Sequence, residues 1–257
     1  MSGFATYDAR GVVIPVGLIV LAEVAARVSG LQSDSLAAPS DVVVAGVEAL
    51  LDGSMLIATY QTLGSALIGL SIGFGIGLAL GVLLGMFRVL DHLLEVTIEA
   101  IRPIPSVALI PISLLVFGFG YRMEIAVVAF ATLWPALILS RAAIAGVEPR
   151  LFEVARALQF GLLARIVKIV IPAALPRVFV ALRLGIGISL IVGVTVEISA
   201  NVIGVGHETM LAGQSLRPAL MLAYLVWIGI LGWGVNAAML LAQKHLFGPA
   251  ANMEARL

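Results

Sequence analysis

The residues able to do chemistry are few and fall in two places. Glu197 lies in V-T-V-E-I-S-A, within an apolar stretch over 178–201 that also carries Ser189, Thr195, Ser199 and Asn201. An ionisable group inside a membrane segment is expensive and faces a partner or water. A carboxylate repels an anion, so gating or packing suits Glu197 better than direct coordination. The plainer alternative is a helix-end carboxylate that reaches the interface or pairs with a neighbour. The second place is segment 147–176, VEPRLFEVARALQFGLLARIVKIVIPAALP, a long polar-interrupted run in a greasy chain. It holds Glu148, Arg150, Glu153, Arg156, Arg165 and Lys168, and Arg177 follows. Pro149 stands where a helix begins, a position that needs no N–H donor. Leu151, Val154, Ala155 and Leu158 then recur at i, i+3, i+4 and i+7, one helix face, with Arg150, Glu153 and Arg156 off it. Gly161 breaks this helix; a second short one runs to about Val170, and Pro172 and Pro176 close it. The pattern predicts a helix–turn–helix outside the bilayer whose compact apolar patch suits a groove on another protein. The bland reading is a solvated connection.

Several chemistries lack their minimum residues. No G-x-x-x-x-G-K-[ST] occurs, so no P-loop is visible; H-E-x-x-H and G-x-S-x-G are absent as well. His92, His207 and His245 are unaccompanied and there is no cysteine, so no metal cluster, disulfide framework or thiol redox site is expected. The chain is therefore read as no enzyme. It binds no cofactor, and any energy input must come from a separate chain. No basic tract suggests nucleic acid.

The elements that must position these groups are membrane helices. Hydrophobic residues make up 61% of the 257, charged residues 12%, and mean hydropathy is +1.13. A soluble globule carries about twice that charged fraction. Apolar runs near or above the length of a membrane span recur, which predicts one polytopic domain over 1–257 embedded in a lipid bilayer. Six spans are expected, at 11–28, 60–85, 106–119, 124–140, 178–201 and 219–243. The first follows Arg10 as a signal peptide would. Glu23 and Arg27 interrupt its far end and no cleavage site follows, so it is read as retained. Pro39-Ser40-Asp41 opens a short amphipathic helix over 42–51. Within the second span Gly69, Gly73, Gly77, Gly81 and Gly85 recur every fourth residue. They bare one face for close approach of another helix, inside the subunit or across a dimer. Segment 88–105 is a polar connection ending in Arg102-Pro103-Ile104-Pro105. Its prolines deny helix continuity, so irregular backbone there must be shielded by protein or face water. A tight turn over 118–123 follows the third span, and Arg183 snorkels from one end of the fifth.

Orientation follows from charge. With both termini and segment 147–176 on one side, Arg10, Arg88, Arg102, Arg141, Arg150, Arg156, Arg165, Lys168, Arg177, Arg183, Lys244 and Arg256 lie there or near it. Only Arg27, Arg122 and Arg217 fall opposite. That bias makes the first side cytoplasmic.

E-V-A-R-A-L-x-x-G and I-V-I-P-A-A-L-P resemble the "EAA" loop of the permease subunits of bacterial ABC importers. The family frame is E-A-A, three residues, G, nine residues, I, one residue, L-P. Glu153, Ala155, Ile169 and Pro172 fit it, and Val154 replaces the middle alanine. The frame places its glycine at Gln159; the nearest glycine is Gly161. Arg102–Pro105 with Pro111 resembles the "RPxP…P" element of the nitrate, sulfonate, taurine and bicarbonate branch, and Glu197 occupies the place of a glutamate usual there. The resemblance covers roughly 39–241. It implies a type I-like importer permease, all-α, with six transmembrane helices and a cytoplasmic coupling loop at 147–176 between the fourth and fifth. It implies two ATPase subunits, which hold ATP and Mg, docking on Arg150, Leu151, Glu153, Val154, Ala155, Arg156, Leu158 and Gly161. It further implies a second permease subunit, as a homodimer, and an extracytoplasmic solute-binding protein. Pro103, Pro105, Ser189, Thr195 and Glu197 are the path or gate candidates, and the cargo would be a small anion crossing a bacterial inner membrane by alternating access. The rivals are a secondary transporter or channel without an ATPase, and a non-transport scaffold.

Overall fold

The computed structural model describes residues 10–29 and 36–247. The polar start before Arg10, Asp34 and the tail with Arg256 lie outside them. Every element among the described residues is helical. In order they are α1 (Arg10–Ser29), α2 (Pro39–Leu51), α3 (Ser54–Met86), α4 (Arg88–Ile101), a 3-10 turn (Ser106–Leu109) and α5 (Ile110–Phe117). There follow α6 (Tyr121–Ala145), α7 (Pro149–Ala157), α8 (Leu162–Arg165), a π segment (Ile166–Val170), α9 (Ile171–Ser199), α10 (Val205–Gln214) and α11 (Pro218–Phe247).

Among the described residues four helices, Ser54–Met86, Tyr121–Ala145, Ile166–Ser199 and Pro218–Gln243, are long and apolar enough to cross a membrane. A fifth span exists if α4 and Ser106–Phe117, which meet at 79°, count as one broken unit. The expected first span is a helix, α1, 20 residues with an apolar exposed surface, and it is not one of those four helices or of the bent pair. Its two charges have a local use. Glu23 accepts from the Ser40 amide (3.0 Å) and hydroxyl (2.9 Å) at the start of α2, and Arg27 pairs with Glu23 and donates to Ser40. A carboxylate there meets the free N–H groups and positive end of α2. The expected start holds, with Pro39 in the first turn and Ala38 extended before it.

α3, α6 and α9 form the central layer. The glycine stripe of α3 lies against α6. A Cβ on Gly69 would stand 2.7 Å from Val128 Cβ, and one on Gly77 2.4 Å from the Leu133 carbonyl oxygen. Gly81 and Gly85 are as tightly placed, each with a would-be Cβ 2.7 Å from Ser140 Cβ and Ile144 Cβ respectively. The bared face therefore serves contact inside the subunit. Beside this layer, α2 and α11 close around Ala49, Met55, Ala58, Val205, Ala223 and Tyr224.

Three expectations need correction. Segment 88–105, expected as a polar connection, is mostly a helix: α4 is amphipathic, and Asp91 and Glu95 on its polar side pair with Arg141 of α6 at 2.7 and 3.6 Å. The turn after α5 is shorter than 118–123, because Tyr121, Arg122 and Met123 already belong to α6; Gly118 (φ +71°) and Gly120 (φ +107°) make the reversal. Pro172 and Pro176 do not close a short helix. α8, the π segment and α9 run on as one rod, and its apolar part begins at Ile166 instead of 178. Pro172 lacks an N–H and its ring crowds the preceding turn. The π segment widens that turn, with Ile171 N–H donating five residues back to the Ile166 carbonyl. Arg183 is thus a mid-helix residue; its Nε donates to Asn236 Oδ1 of α11 at 3.3 Å.

Candidate functional site

The coupling candidate, α7, is a nine-residue helix. Glu148, in an extended conformation, precedes it, and Pro149 opens it. Its end is not at Gly161. The Leu158 N–H bonds to Val154 O (2.9 Å), Gln159 N–H to Arg156 O (3.0 Å) and Phe160 N–H to Ala155 O (2.9 Å). Those last two bonds are the paired closure of a Schellman motif, whose C′ residue adopts the left-handed conformation. Gln159 fills that position with φ +54°. The turn that the family frame assigns to glycine is therefore present, made by glutamine. An L side chain there costs on the order of 1 kcal/mol. We expect Gln159→Gly to stabilise the protein by about 0.5–1 kcal/mol, with slower hydrogen exchange at the Phe160 amide. Gly161→Ala, where an added Cβ meets nothing within 4 Å, should leave both unchanged. Equal effects of the two would contradict this turn.

The expected apolar face of α7 splits in two. Ala155 is fully buried, and Leu151 packs on Ala143, Ile144, Val147, Val170 and Ala174 at the junction of α6 with the rod. Val154 and Leu158 point out, 50% and 58% exposed. Arg150, Glu153, Arg156 and Gly161 are exposed beside them. The placement of Ala155 corrects its expected role: an Arg there would unseat α7 from its own subunit before it touched a partner. The seat is reinforced by Lys168, whose Nζ lies 5.1 Å from the centroid of the Phe160 ring. Gly146, at the end of α6, leaves room for Arg177, whose Nη1 would lie 2.5 Å from an added Cβ.

At the opposite end of α6 and α9 lies a buried polar cluster. Glu197 has no exposed surface; its oxygens accept from Thr62 Oγ1 (2.7 Å) and the Gly206 N–H (2.8 Å). Val205 N–H donates to Thr62 Oγ1 (2.9 Å) and Gly204 N–H to Gln61 Oε1 (3.0 Å). Side chains of α3 and α9 thereby satisfy three consecutive amides at the start of α10, where helix N–H groups have no partner of their own. Glycine is needed twice: a Cβ on Gly204 (φ +93°) would lie 1.9 Å from Glu197 Oε1, and one on Gly206 2.6 Å from Val194 O. Asn201 does the same for α6. Its Oδ1 accepts from Gly120 N–H (2.8 Å), while its Nδ2 donates to Glu124 Oε2 (2.9 Å). Glu124, also fully buried, takes the Ser65 hydroxyl as well. The cluster thus fastens α3, α6, α9 and α10 together at one end of the bundle.

Glu197 faces this interior and not an open passage. Ser189 is buried and donates to Ile186 O (2.9 Å), and Thr195 donates to Ile191 O (2.7 Å), each within its own helix. Pro103 and Pro105 are exposed at the break after α4. Glu124, Thr62, Ser65, Gln61 and the glycines of 204–206 were not singled out in the sequence. Glu124 carries the same signal as Glu197, an acid at the edge of an apolar run.

The model of the family described as "Binding-protein-dependent transport system inner membrane component" matches residues 71–247. The putative aliphatic sulfonates transport permease protein SsuC of Escherichia coli (strain K12) is 33% identical over 220 residues, 85% of this chain and 83% of that protein. Its namesake in Bacillus subtilis (strain 168) is 28% identical over 237 residues, 92% and 86% of the two. Among solved structures, an inward-facing MetNI methionine ABC transporter superposes with a TM-score of 0.66 at 20% identity. That match covers 74% of this chain and 95% of the other and bears on the fold alone. With the family match running from within α3 through α6, α7 and α9 to the end of α11, the chain belongs to the binding-protein-dependent transport system inner membrane component family and is a multi-pass permease of the ABC importer type.

Proposed function

We propose that this chain forms the membrane path of an ATP-driven importer for a small organic anion. Two copies make the path, each offers α7 to an ATPase subunit that holds ATP and Mg, and a solute-binding protein delivers cargo from the other side. Both termini and α7 face the cytoplasm, in keeping with the excess of Lys and Arg on that side. The observation that carries the reading is the split face of α7. Leu151 and Ala155 anchor it to the junction of α6 and α9, while Val154 and Leu158 form a short, half-exposed apolar ridge. A ridge anchored to two long helices passes a push on to both. Sulfonate transport named for the relatives in Escherichia coli and Bacillus subtilis supports an anionic cargo.

The test is coexpression with an ABC ATPase subunit from the same genome. Val154→Asp with Leu158→Asp places two charges in the proposed contact and should cut copurified ATPase at least about tenfold, with an unchanged thermal midpoint of the permease. Glu153→Lys should uncouple transport in the same way. Full ATPase recovery and normal uptake in the double variant would reject docking on α7.

A further inference from the structure

Two buried acids meet at the end of the bundle opposite α7, with no base between them. Glu124 and Glu197 have no exposed surface, and their carboxyl groups lie in hydrogen-bond contact with each other. The helices bring this about. Thr62 and Ser65, one turn apart on α3, reach Glu197 and Glu124 respectively, and Asn201, one turn beyond Glu197, reaches Glu124. Neither carboxyl belongs to an ion pair among the described residues. The donors that do reach them are neutral: two hydroxyls, one side-chain amide and one backbone amide. Two carboxylates in contact repel, and a hydrogen bond between them needs a proton on one.

The partners decide where that proton sits. Asn201 Oδ1 accepts from Gly120 N–H (2.8 Å) and Val202 N–H (3.0 Å), so the end turned to Glu124 Oε2 is the amide nitrogen, which only donates. Oε2 is thus an acceptor. At Oε1 stands Ser65 Oγ, whose single proton has two other acceptors in reach, Gln61 O (3.0 Å) and Thr62 O (3.1 Å). With that proton turned to its own helix, Ser65 is free to accept from Glu124. Glu197 is served differently. The Gly206 amide donates to one oxygen, and the other takes the Thr62 hydroxyl, itself fixed by the Val205 amide. Glu197 is furnished as the anion and Glu124 as the acid.

We infer that Glu124 and Glu197 form a proton-binding site, with one proton on Glu124 shared toward Glu197, and that this proton locks the start of α10 against α3 and α6. The lock does not depend on what docks on α7. Opening it to water lets both acids ionise, since a solvated glutamate titrates near about pH 4.3. Each opening then releases one proton. Raising the pH therefore favours opening by about tenfold per unit, up to the pH at which the closed pair gives up its own proton. Tyr121 of α6 is near enough to feel both acids, with Tyr60 of α3 beside it, and both phenols stay neutral in this range. Arg122 follows on α6, and His207 and Glu208 follow Gly206 on α10. Of these His207 alone changes charge near neutral pH.

Hydrogen exchange at the Gly206 amide, in the full-length chain in lipid nanodiscs, reads the lock as a protection factor corrected for the intrinsic rate. From about pH 6 to about pH 7 that factor should fall about tenfold. Glu124→Gln, a neutral isostere that keeps an acceptor for Asn201 and a donor for Ser65, should hold it constant. His207→Gln should leave the fall in place. Glutamate labelled with heavy carbon at its carboxyl supplies a second readout. An infrared band of a neutral glutamic acid should be present at neutral pH, vanish in Glu124→Gln and persist in Glu197→Gln. A flat protection factor in the unaltered chain, a fall abolished by His207→Gln, no acid band, or a band that survives Glu124→Gln would overturn the site. The first and third of these need no variant, so they stand if Glu124→Gln does not assemble.

Discussion

Gly73→Ala should prevent assembly of the bundle, whereas Gly75→Ala, two residues along the same helix, should be tolerated. A Cβ on Gly73 would lie 2.1 Å from the Ala129 carbonyl oxygen and 2.3 Å from Thr132 Oγ1. The first is backbone of a long helix, which cannot step aside without moving α6 as a whole. Overpacking a core costs about 1–3 kcal/mol where side chains can give way, and more where they cannot. We expect a loss of at least about 3 kcal/mol for Gly73→Ala. It should be read as a collapsed thermal midpoint in detergent and loss of the monodisperse peak on size exclusion. At Gly75 an added methyl meets nothing within 4 Å. There the higher helix propensity of alanine should give a change between zero and about +1 kcal/mol. Two variants with indistinguishable midpoints would mean that α3 and α6 do not touch along the glycine stripe.

Glu197→Ala is expected to have the second largest effect. It removes the acceptor of the Gly206 amide, leaves Thr62 Oγ1 only the Ala58 carbonyl at 3.1 Å, and opens a void among fully buried groups. The stranded amide costs about 1–3 kcal/mol and the void adds to it, so the sum should reach about 3 kcal/mol or more. Glu197→Gln keeps the volume and one acceptor oxygen, and its expected cost is about 1–2 kcal/mol, with assembly retained and transport altered. The specific signature is local. Hydrogen exchange at the first amides of α10 should accelerate strongly in the Ala variant and modestly in the Gln variant. Unchanged exchange at Gly206 in Glu197→Ala would remove this residue from its place as the cap of α10.

What could be read from the sequence divides along physical lines. Helices with an apolar run or a periodic glycine face announce themselves locally, and the stripe from Gly69 to Gly85 lies on one face as its spacing requires. The start of α7 was legible in Pro149 for the same reason. Its end was not. Glycine is the usual left-handed residue, and here Gln159 takes that conformation while Gly161 does not. Pro172 and Pro176 misled in the other direction, because a widened turn lets a helix pass a proline that an α-turn would not accommodate. The face of α7 had the right period, but period alone cannot say which half is covered by its own subunit; Ala155 and Val154 are neighbours with opposite fates. The partners of Glu197 were out of reach because they are distant in the chain. Thr62 lies 135 residues away, and no short motif joins them.

The wide turn at Ile166–Val170 sets a relation between the two ends of one long rod. On one side of it sits α7; on the other, Glu197 points at Thr62. Each residue of an α-helix advances the azimuth by about 100°. Winding the same five residues as an ordinary α-helix, with none removed, would swing every later side chain by about that angle relative to the loop below; deleting one residue at the same time would cancel the swing. The bearing of Glu197 on its partners is thus written as a phase offset in a segment whose own side chains never touch them.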